Sequence, residues 1–245
     1  MASIVLAGHA LSVLSEAIVL GESLILSDLH LGLEDQFAES GHGFLFSSAE
    51  AIVEGILGLE APARELILNG DIIDDFALRN PRSRRAIERS LIALGTKFEV
   101  LTLLKGNHDV MLATLPLPEN AQISSYALRE SILIMHGDRL PDELESLRFD
   151  AMIIGHEHPC VQLSDTLRSE RFKCFLLGTS RIGNRTFSVL VMPAAHPEVL
   201  GTAVHEGAFM SPVLKGADLG QMRVYVAHNG VLDFGTLNDM KFTAE

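Results

Sequence analysis

The stretch Leu24-Ile-Leu-Ser-Asp28-Leu-His30-Leu-Gly32 decides the fold, because an apolar, strand-like run ends there in a carboxylate and an imidazole. Residues i and i+2 of an extended segment point to the same side. If Asp28 and His30 continue the strand geometry, both side chains converge on one point. Carboxylate oxygens and imidazole nitrogens are common ligands of Mn, Fe and Zn. Alone the pattern is weak, since Asp28 could instead cap a helix.

Four further apolar runs end in polar groups of the same kind. They deliver Asp71, then Asn107 with His108, then His136, and finally His156 with His158. In open α/β sheets, sites gather beyond the carboxyl ends of the strands. This inventory exceeds what one cation requires, so we expect two cations roughly 3.5–4 Å apart that share a carboxylate. Taken singly, Asp71 could be a turn residue and His136 a core histidine.

Strand and helix signals alternate over the first two-thirds of the chain. Strands are predicted at 4–6, 10–14, 17–20, 23–27, 65–70, 98–104, 122–128, 131–135 and 151–154. Helices are predicted after a capping box at Ser47-x-x-Glu50, from Asn80-Pro81 to Leu94, and at 109–114 and 141–147. Residues 33–46 are predicted as an irregular loop, residues beyond 160 as mostly strands with a hairpin turn at 228–231, and residues 194–218 as a surface loop. The pattern predicts an α/β fold, a sandwich of two sheets with helices outside, in one domain spanning 1–245.

Composition limits the function classes. The formal net charge is -13, with no Trp and two Tyr, which argues against tight binding of long nucleic acid. A small anionic substrate stays open, because bound divalent cations invert the local field. Two cysteines suit a reducing cytoplasm. The first twenty residues lack a basic start and are interrupted by polar residues, so we expect neither a signal peptide nor a membrane span.

The ordered motifs resemble those of the calcineurin-like metallophosphoesterases. These motifs are Asp28-x-His30, Gly70-Asp71-x-x-Asp74, Gly106-Asn107-His108-Asp109, His136-Gly137 and Gly155-His156-x-His158. Longer strings, from Ser27 to Glu34 and from Ile154 to Pro159, resemble a narrower group, the archaeal SbcD-related and PdeM-type phosphoesterases. The resemblance implies a four-layer α-β-β-α fold.

The resemblance also implies a role for each matching residue. A first divalent metal would be held by Asp28, His30, Asp71 and His158. A second would be held by Asp71, Asn107, His136 and His156, with Asp71 bridging. Manganese is the expected metal, with Fe, Zn or Mg as alternatives. His108 would protonate the leaving oxygen, and Asp74 would orient His108, although a turn-capping role for Asp74 stays open.

The expected reaction is hydrolysis of a phosphate ester by a metal-activated hydroxide. We favour a phosphodiesterase or nuclease-like enzyme, with a phosphomonoesterase or a small-nucleotide phosphodiesterase as the alternative. A non-catalytic scaffold is a third reading, against which His108 argues. The protein-phosphatase arginine that grips phosphate is replaced here by Asp75, so Arg79 or an arginine of the 82–89 helix would substitute for it. His42, in a glycine-flanked loop just after the first motif, is a second candidate for substrate contact. Nucleotides and nucleic acids are the candidate substrates. Most of those helix arginines are more simply read as a solvated face.

Overall fold

The computed structural model describes residues 2–38, 46–74, 77–164, 169–206, 209–227 and 231–240. A seven-stranded sheet contains, in spatial order, β1 (Ala2–Leu6), β2 (His9–Leu14), β3 (Ala17–Leu20), β4 (Ser23–Leu26), β5 (Glu65–Asn69), β6 (Val100–Leu104) and β7 (Ala121–Ser124). Strands β1 to β4 form an antiparallel meander, and β4 to β7 are parallel. The carboxyl ends of β4, β5 and β6 therefore meet at one edge.

The second sheet contains nine strands. They are β8 (Tyr126–Arg129), β9 (Ile132–Met135), β10 (Ala151–Ile154), β11 (Pro159–Ser164), β12 (Ser169–Ile182), β13 (Arg185–Val191), β14 (Thr202–Ala203), β15 (Arg223–Ala227) and β16 (Val231–Thr236). Strand β10 is parallel to β9 on one side and to β13 on the other. The long strand β12 pairs with β11, β13 and β15.

Alternating side chains place the two sheets face to face. Ile25 and Ile67 of the first sheet pack in one cluster with Ile134 and Ile153 of the second. Their neighbours Leu24, Leu26, Leu66 and Leu68 face the opposite way and pack under the helices. Successive residues of a strand point to opposite faces, so strands that are apolar throughout are buried on both sides. This confirms the predicted α/β sandwich of two sheets.

Three α-helices accompany the first sheet in the described part of the chain. They are α1 (Leu33–Ala38), α2 (Ala49–Leu57) and α3 (Pro81–Lys97). Apolar residues of α2 and α3, such as Ile52, Ile87 and Leu91, pack on this sheet. On the outer face of the second sheet, the cluster is completed by residues such as Val204, Val213, Leu214 and Met222. None of the described helices is long and apolar enough to cross a membrane.

Several predicted boundaries were wrong. Ser48, not Ser47, caps α2 by accepting a hydrogen bond from Ala51 N–H, while Ser47 donates to Glu198. Helix α3 begins as predicted with Asn80 as its cap, but it continues through Gly95 to Lys97. Residues 33–38 form a helix, and residues 141–147 form turns instead of a helix.

The run predicted as one strand at 122–128 is divided between the two sheets. Strand β7 pairs with β6 of the first sheet, and β8 pairs with β9 of the second. Ser125 alone separates them in the sequence, so the chain crosses from one sheet to the other at this point. The hairpin turn at 228–230 lies outside the described residues, although β15 and β16 on either side of it are antiparallel partners.

Candidate metal centre

The candidate residues gather where buried strands of both sheets end. Strands β4, β5 and β6 end at Leu26, Asn69 and Leu104, and β9 and β10 end at Met135 and Ile154. Each of these ends is followed within four residues by one or two of the predicted ligands. Because the sheets pack face to face and these strands run in parallel pairs, one edge of the sandwich collects all of them.

The backbone at these positions is not extended, so the sequence argument for Asp28 and His30 was wrong in its mechanism. Asp28 and His30 have φ values of 58° and 42°, in the left-handed region. Asp71, His156 and His158 share it, at 46°, 67° and 43°. This conformation costs non-glycine residues of order 1–3 kcal/mol and persists only where the surroundings impose it. Hydrogen bonds from Asp28 N–H to Gly70 O and from His30 N–H to Asp71 O hold the segment.

The first ligand group consists of Asp28, His30 and His158, whose ligand atoms lie within 4.8 Å of one another. Asp28 Oδ1 is 2.9 Å from His158 Nε2, but the two atoms are not aligned as a hydrogen bond. His30 Nε2 is buried and has no hydrogen-bond partner among the described residues. Leaving such a nitrogen unsatisfied costs about 1–3 kcal/mol. A divalent cation, which accepts one carboxylate oxygen and two imidazole nitrogens, fits these residues.

The second ligand group consists of Asp71, His136 and His156, with the same 4.8 Å limit. His136 Nε2 is 3.3 Å from Asp71 Oδ2 and 3.3 Å from Asn107 Oδ1, so the Asn107 amide adjoins this group. Asn107 is exposed, whereas His136 is fully buried. The second group is therefore anchored inside the protein and open towards solvent on the Asn107 side.

Asp71 faces both groups with one atom. Its Oδ2 lies 3.3 Å from His136 Nε2 and 4.0 Å from His30 Nε2. Its Oδ1 accepts a hydrogen bond of 2.9 Å from the backbone N–H of His108. Asp71 is thus held by one oxygen while the other is directed between the two histidines.

The protonation states of His30, Asp28 and Asp71 suit metal binding, whereas that of His136 does not. Burial lowers the pKa of His30 to about 4, so its imidazole is neutral at neutral pH. Burial opposes ionisation of Asp28 and Asp71, but the charges of His158 and His136 outweigh it and hold both pKa values below the ordinary range. Burial also disfavours the charged form of His136, yet the hydrogen bond to Asp71 and the charge of Asp28 raise its pKa to about 9. Without a cation, His136 therefore carries a proton.

Two glycines leave room for the carboxylates. A Cβ atom on Gly155 would overlap Ser27 Oγ and lie 2.5 Å from Asp28 Oδ2, and one on Gly106 would overlap Asp71 Oδ1. Gly155 N–H also donates to His136 O, so its backbone cannot retreat. The glycines of the motifs are therefore required by close approach of the backbone to the ligands.

Asp109 is a functional residue that the sequence reasoning did not single out. Its buried carboxylate accepts hydrogen bonds from Ile72 N–H, Ile73 N–H and Gly106 N–H, at 2.9, 3.1 and 2.8 Å. Burial raises its pKa to about 6. Asp109 thereby ties the loop after β6, which carries Asn107 and His108, to the loop after β5, which carries Asp71.

His196 belongs to the segment 194–218 that was predicted as a surface loop; it does lie in a loop, but it is not at the surface. Its side chain is fully buried, and burial lowers its pKa to about 4. The backbone N–H of His196 donates to Asp28 O, and the backbone N–H of Ala195 donates to Ser27 O. The buried Lys173 ammonium donates to the carbonyls of Ala194 and His196. The segment predicted as a surface loop thus packs against the first ligand group at its start.

The predicted catalytic residues lie near this centre. The His108 ring contacts the His30 ring edge-on, with centroids 5.2 Å apart. Asp74 is buried, its N–H donates to Leu31 O, and its Oδ2 accepts a 2.7 Å hydrogen bond from Gln36 Nε2. An Asp74–His108 pair stays a prediction.

The predicted substrate contacts are less defined. Arg79 is exposed at the end of the short 3-10 helix Ala77–Arg79. His42 and Asp75 lie outside the described residues. Two arginines of α3 form ion pairs, Arg84 with Glu88 in the same helix and Arg89 with Glu50 of α2.

Comparison with known proteins identifies the family. The model of the calcineurin-like phosphoesterases matches residues 23–160, which include every predicted metal ligand. The chain belongs to the calcineurin-like phosphoesterases. It is therefore a metal-dependent phosphoesterase, a hydrolase, and the family places divalent metal ions in a site of this kind.

Solved structures resemble the fold of this phosphoesterase to different degrees. Nuclease MPE from Pseudomonas putida superposes with a TM-score of 0.64 at 21% identity, covering 94% of this chain and 98% of that chain. A protein of unknown function from Aquifex aeolicus reaches 0.36 at 22% identity, covering 56% and 78%. A Vps29 double mutant from Entamoeba histolytica reaches 0.32 at 14% identity, covering 87% and 99%. Of these three structures, only the Pseudomonas putida nuclease is similar enough to show a shared fold. No curated protein matches the chain.

Proposed function

We propose that this phosphoesterase is a binuclear, manganese-dependent phosphodiesterase. The observation that carries the proposal is the position of Asp71 Oδ2, 3.3 Å from one imidazole of the second ligand group and 4.0 Å from one of the first. A carboxylate placed between two sets of ligands is what a pair of divalent cations requires. We place the whole chain 1–245 in one domain, because one apolar cluster joins both sheets.

In this proposal Asp28, His30 and His158 would hold the first cation, and His136, His156 and Asn107 would hold the second. Asp71 would serve both. Bound cations would supply the nucleophile at neutral pH and neutralise charge on the phosphoryl oxygens. The left-handed backbone at five of these residues keeps the ligand atoms in place before a cation binds, which reduces the reorganisation that binding requires.

His108 has the role of proton donor to the leaving oxygen. Its backbone N–H is bound to Asp71, and its ring contacts that of His30, so it sits beside both ligand groups. It is half-buried and can reach a substrate from the solvent side. General acids of this kind contribute roughly 10²–10⁴-fold to the rate. Asp74 acts through His108 as a positioning residue.

Support for a diester over a monoester comes from two sides. The P. putida structure that shares the fold is described as a nuclease. The open, exposed side of the second ligand group leaves space for substituents on both sides of a phosphate. The alternative, a phosphomonoesterase or small-nucleotide phosphodiesterase, is favoured by the buried carboxylate of Asp74 three residues after Asp71 and by the acidic net charge of -13. The two cysteines are buried and form no disulfide in the described part of the chain, which agrees with a cytoplasmic location.

The decisive experiment is a panel of metals and substrates. Purified protein loaded with Mn²⁺, Fe²⁺, Zn²⁺ or Mg²⁺ is assayed on bis-p-nitrophenyl phosphate, p-nitrophenyl phosphate, cyclic nucleotides and DNA. We expect the highest kcat/KM on diesters with Mn²⁺. Turnover of monoesters alone would refute the diesterase, and no turnover of any ester would favour a scaffold.

A matched pair of variants tests the role of His108. His108→Ala should lower kcat by roughly 10²-fold on diesters with poor leaving groups, and less on p-nitrophenyl esters, whose leaving oxygen needs no proton. His9→Ala, at a histidine that pairs with Glu130 away from the ligand groups, serves as the control and should leave kcat unchanged. Equal loss on both classes of leaving group would contradict the proton-donor role.

A further inference from the structure

Two hollows open beside the second ligand group. The larger has a volume of about 810 Å³, and His136 forms part of its wall. The smaller has a volume of about 370 Å³ and includes Asn107. Lys105, Asp138 and Arg139 line both, so the hollows meet at two cations and one carboxylate. We call the two hollows together the flanking cavity. A substrate whose phosphate lies at the metal centre would extend directly into the flanking cavity.

We propose that the flanking cavity binds the nucleotide next to the scissile phosphodiester, and that Lys105 and Arg139 hold that nucleotide's phosphate. The inference rests on the proposed phosphodiesterase function. It names the substrate class as short oligonucleotides that contain at least two phosphodiesters. Each hollow by itself, at about 810 and about 370 Å³, lies within the range of roughly 300–1,000 Å³ that is typical of small-ligand sites.

Lys105 is held in place by its backbone while its ammonium is available. It is the first residue after β6, and its N–H donates to Ser124 O at 2.9 Å. The side chain is half-buried, and its ammonium makes no hydrogen bond or ion pair with any residue that the structure describes. In a chain with 32 acidic and 19 basic residues, an unpaired ammonium beside a metal centre is suited to an anionic ligand.

Arg139 supplies the second cation. Its Nε lies 3.5 Å from Asp138 Oδ2, and its side chain is 69% exposed. A guanidinium has five N–H donors, so one contact with Asp138 leaves donors for a phosphate. Two parallel hydrogen bonds from a guanidinium to phosphate oxygens are the usual geometry of such contacts.

The walls also offer surface to a base and a sugar. Val110, which lines the smaller hollow, is 76% exposed and directly follows the loop that carries Asn107 and His108. Tyr126, which lines the larger hollow, is half-buried. Aromatic side chains near cationic groups are the recurring surface for single-stranded nucleotides.

The acidic residues of the cavity limit the length of the substrate. Asp138 lines both hollows but contacts Arg139, and Asp109 lines the smaller one with its carboxylate bound by backbone N–H groups. Asp142 and Glu143 line the larger hollow but not the smaller one. They would repel a second flanking phosphate but can accept hydrogen bonds from sugar hydroxyls and base amino groups. The cavity therefore fits one flanking nucleotide, which agrees with a net charge of -13 that disfavours long nucleic acid.

The test compares three diesters that differ only in what flanks the scissile bond. Bis-p-nitrophenyl phosphate and the thymidine dinucleotide TpT have no flanking phosphate, whereas the trinucleotide TpTpT has one. The wild-type kcat/KM should be higher for TpTpT than for TpT, and longer oligomers should bring no further gain. Lys105→Ala should lower kcat/KM for TpTpT about tenfold, the size of one charge-assisted contact, and change the other two less than about twofold.

Controls separate binding from folding. Lys105→Arg should restore most of the TpTpT activity, and Lys215→Ala, at an exposed lysine that lines neither hollow, should change nothing. An equal loss on all three substrates, or no loss on any, would overturn the inference while leaving the phosphodiesterase intact. Failure of the wild type to hydrolyse any diester would instead refute the proposed function, and the inference with it.

Discussion

Gly155→Ala tests how tightly the protein holds the first ligand group. A Cβ atom at position 155 would overlap Ser27 Oγ and would lie 2.5 Å from Asp28 Oδ2, whereas ordinary contacts begin at 3.4 Å. The carboxylate must therefore move by about 0.9 Å, the difference of these two distances. A displacement of about 1 Å at a catalytic group lowers activity roughly 10²-fold.

The displacement falls on the adjacent residues Ser27 and Asp28. Gly155 N–H donates to His136 O at 2.9 Å and holds the Gly155 backbone, so Ser27 must give way, and the 2.8 Å hydrogen bond from its Oγ to Asn69 O would be broken. His156 N–H lies 3.2 Å from both Asp28 carboxylate oxygens, and this contact would be broken. We expect a loss of about 1–3 kcal/mol in the free energy of unfolding, which is typical of overpacking.

The assay combines three measurements on the same preparation. These are bound metal per chain by elemental analysis, kcat/KM on bis-p-nitrophenyl phosphate with Mn²⁺, and urea unfolding. Gly55→Ala is the matched control, because Gly55 lies inside α2 with nothing within 4 Å of the added Cβ. It should retain activity and gain about 0.5–1 kcal/mol. A Gly155→Ala protein with full metal content and activity within threefold of the wild type would refute the reasoning.

Three further predictions follow from charged and buried groups. The pKa of His136 is about 9, so a cation that binds this imidazole below pH 9 must displace its proton. Mn²⁺ affinity should therefore rise about tenfold per pH unit from 6 to 8, and calorimetry in buffers of different ionisation enthalpy should detect the released proton. Asp109→Ala leaves three backbone N–H groups without their acceptor and should lower the free energy of unfolding by about 3 kcal/mol in urea titrations. Glu65 of β5 binds Arg129 of β8 across the sheets, and against the effect of burial the hydrogen bonds of Arg129, Ser23 and Thr102 lower its pKa. Glu65→Gln should lower the free energy of unfolding by about 2–3 kcal/mol at pH 7, measured by urea titration. Stabilisation by a carboxyl group with a depressed pKa is lost as the pH falls below the ordinary pKa of that group, so the difference between variant and wild type should shrink towards pH 3.

The sequence predicted the strands that carry the site because their signals are local. Each of the runs ending at Leu26, Asn69, Leu104, Met135 and Ile154 is apolar on both faces and is followed by a ligand-type residue. Such runs predict buried parallel strands whatever surrounds them. The family pattern then assigned Asp28, Asp71 and the histidines to one centre, and the structure brings their ligand atoms together.

What the sequence did not predict depends on contacts between distant segments. Nothing near Asp28 in the sequence indicates a left-handed backbone, since that conformation is imposed by Gly70 O and by the backbone N–H of His156. His196 reads as a loop residue because Gly, Ala and Pro surround it, yet Lys173 and the Asp28 loop bury it. The division of 122–128 between two sheets likewise follows from the packing of the sandwich and from no local breaker residue.

The central claim is that Asp71 serves two cations at once. Equilibrium dialysis of the wild-type protein against Mn²⁺ at pH 8, followed by elemental analysis, measures the number of bound ions directly. We predict two ions per chain in the wild type and a loss of both tight sites in Asp71→Asn. One ion per chain in the wild type, or an Asp71→Asn protein that still binds two tightly, would contradict the binuclear centre.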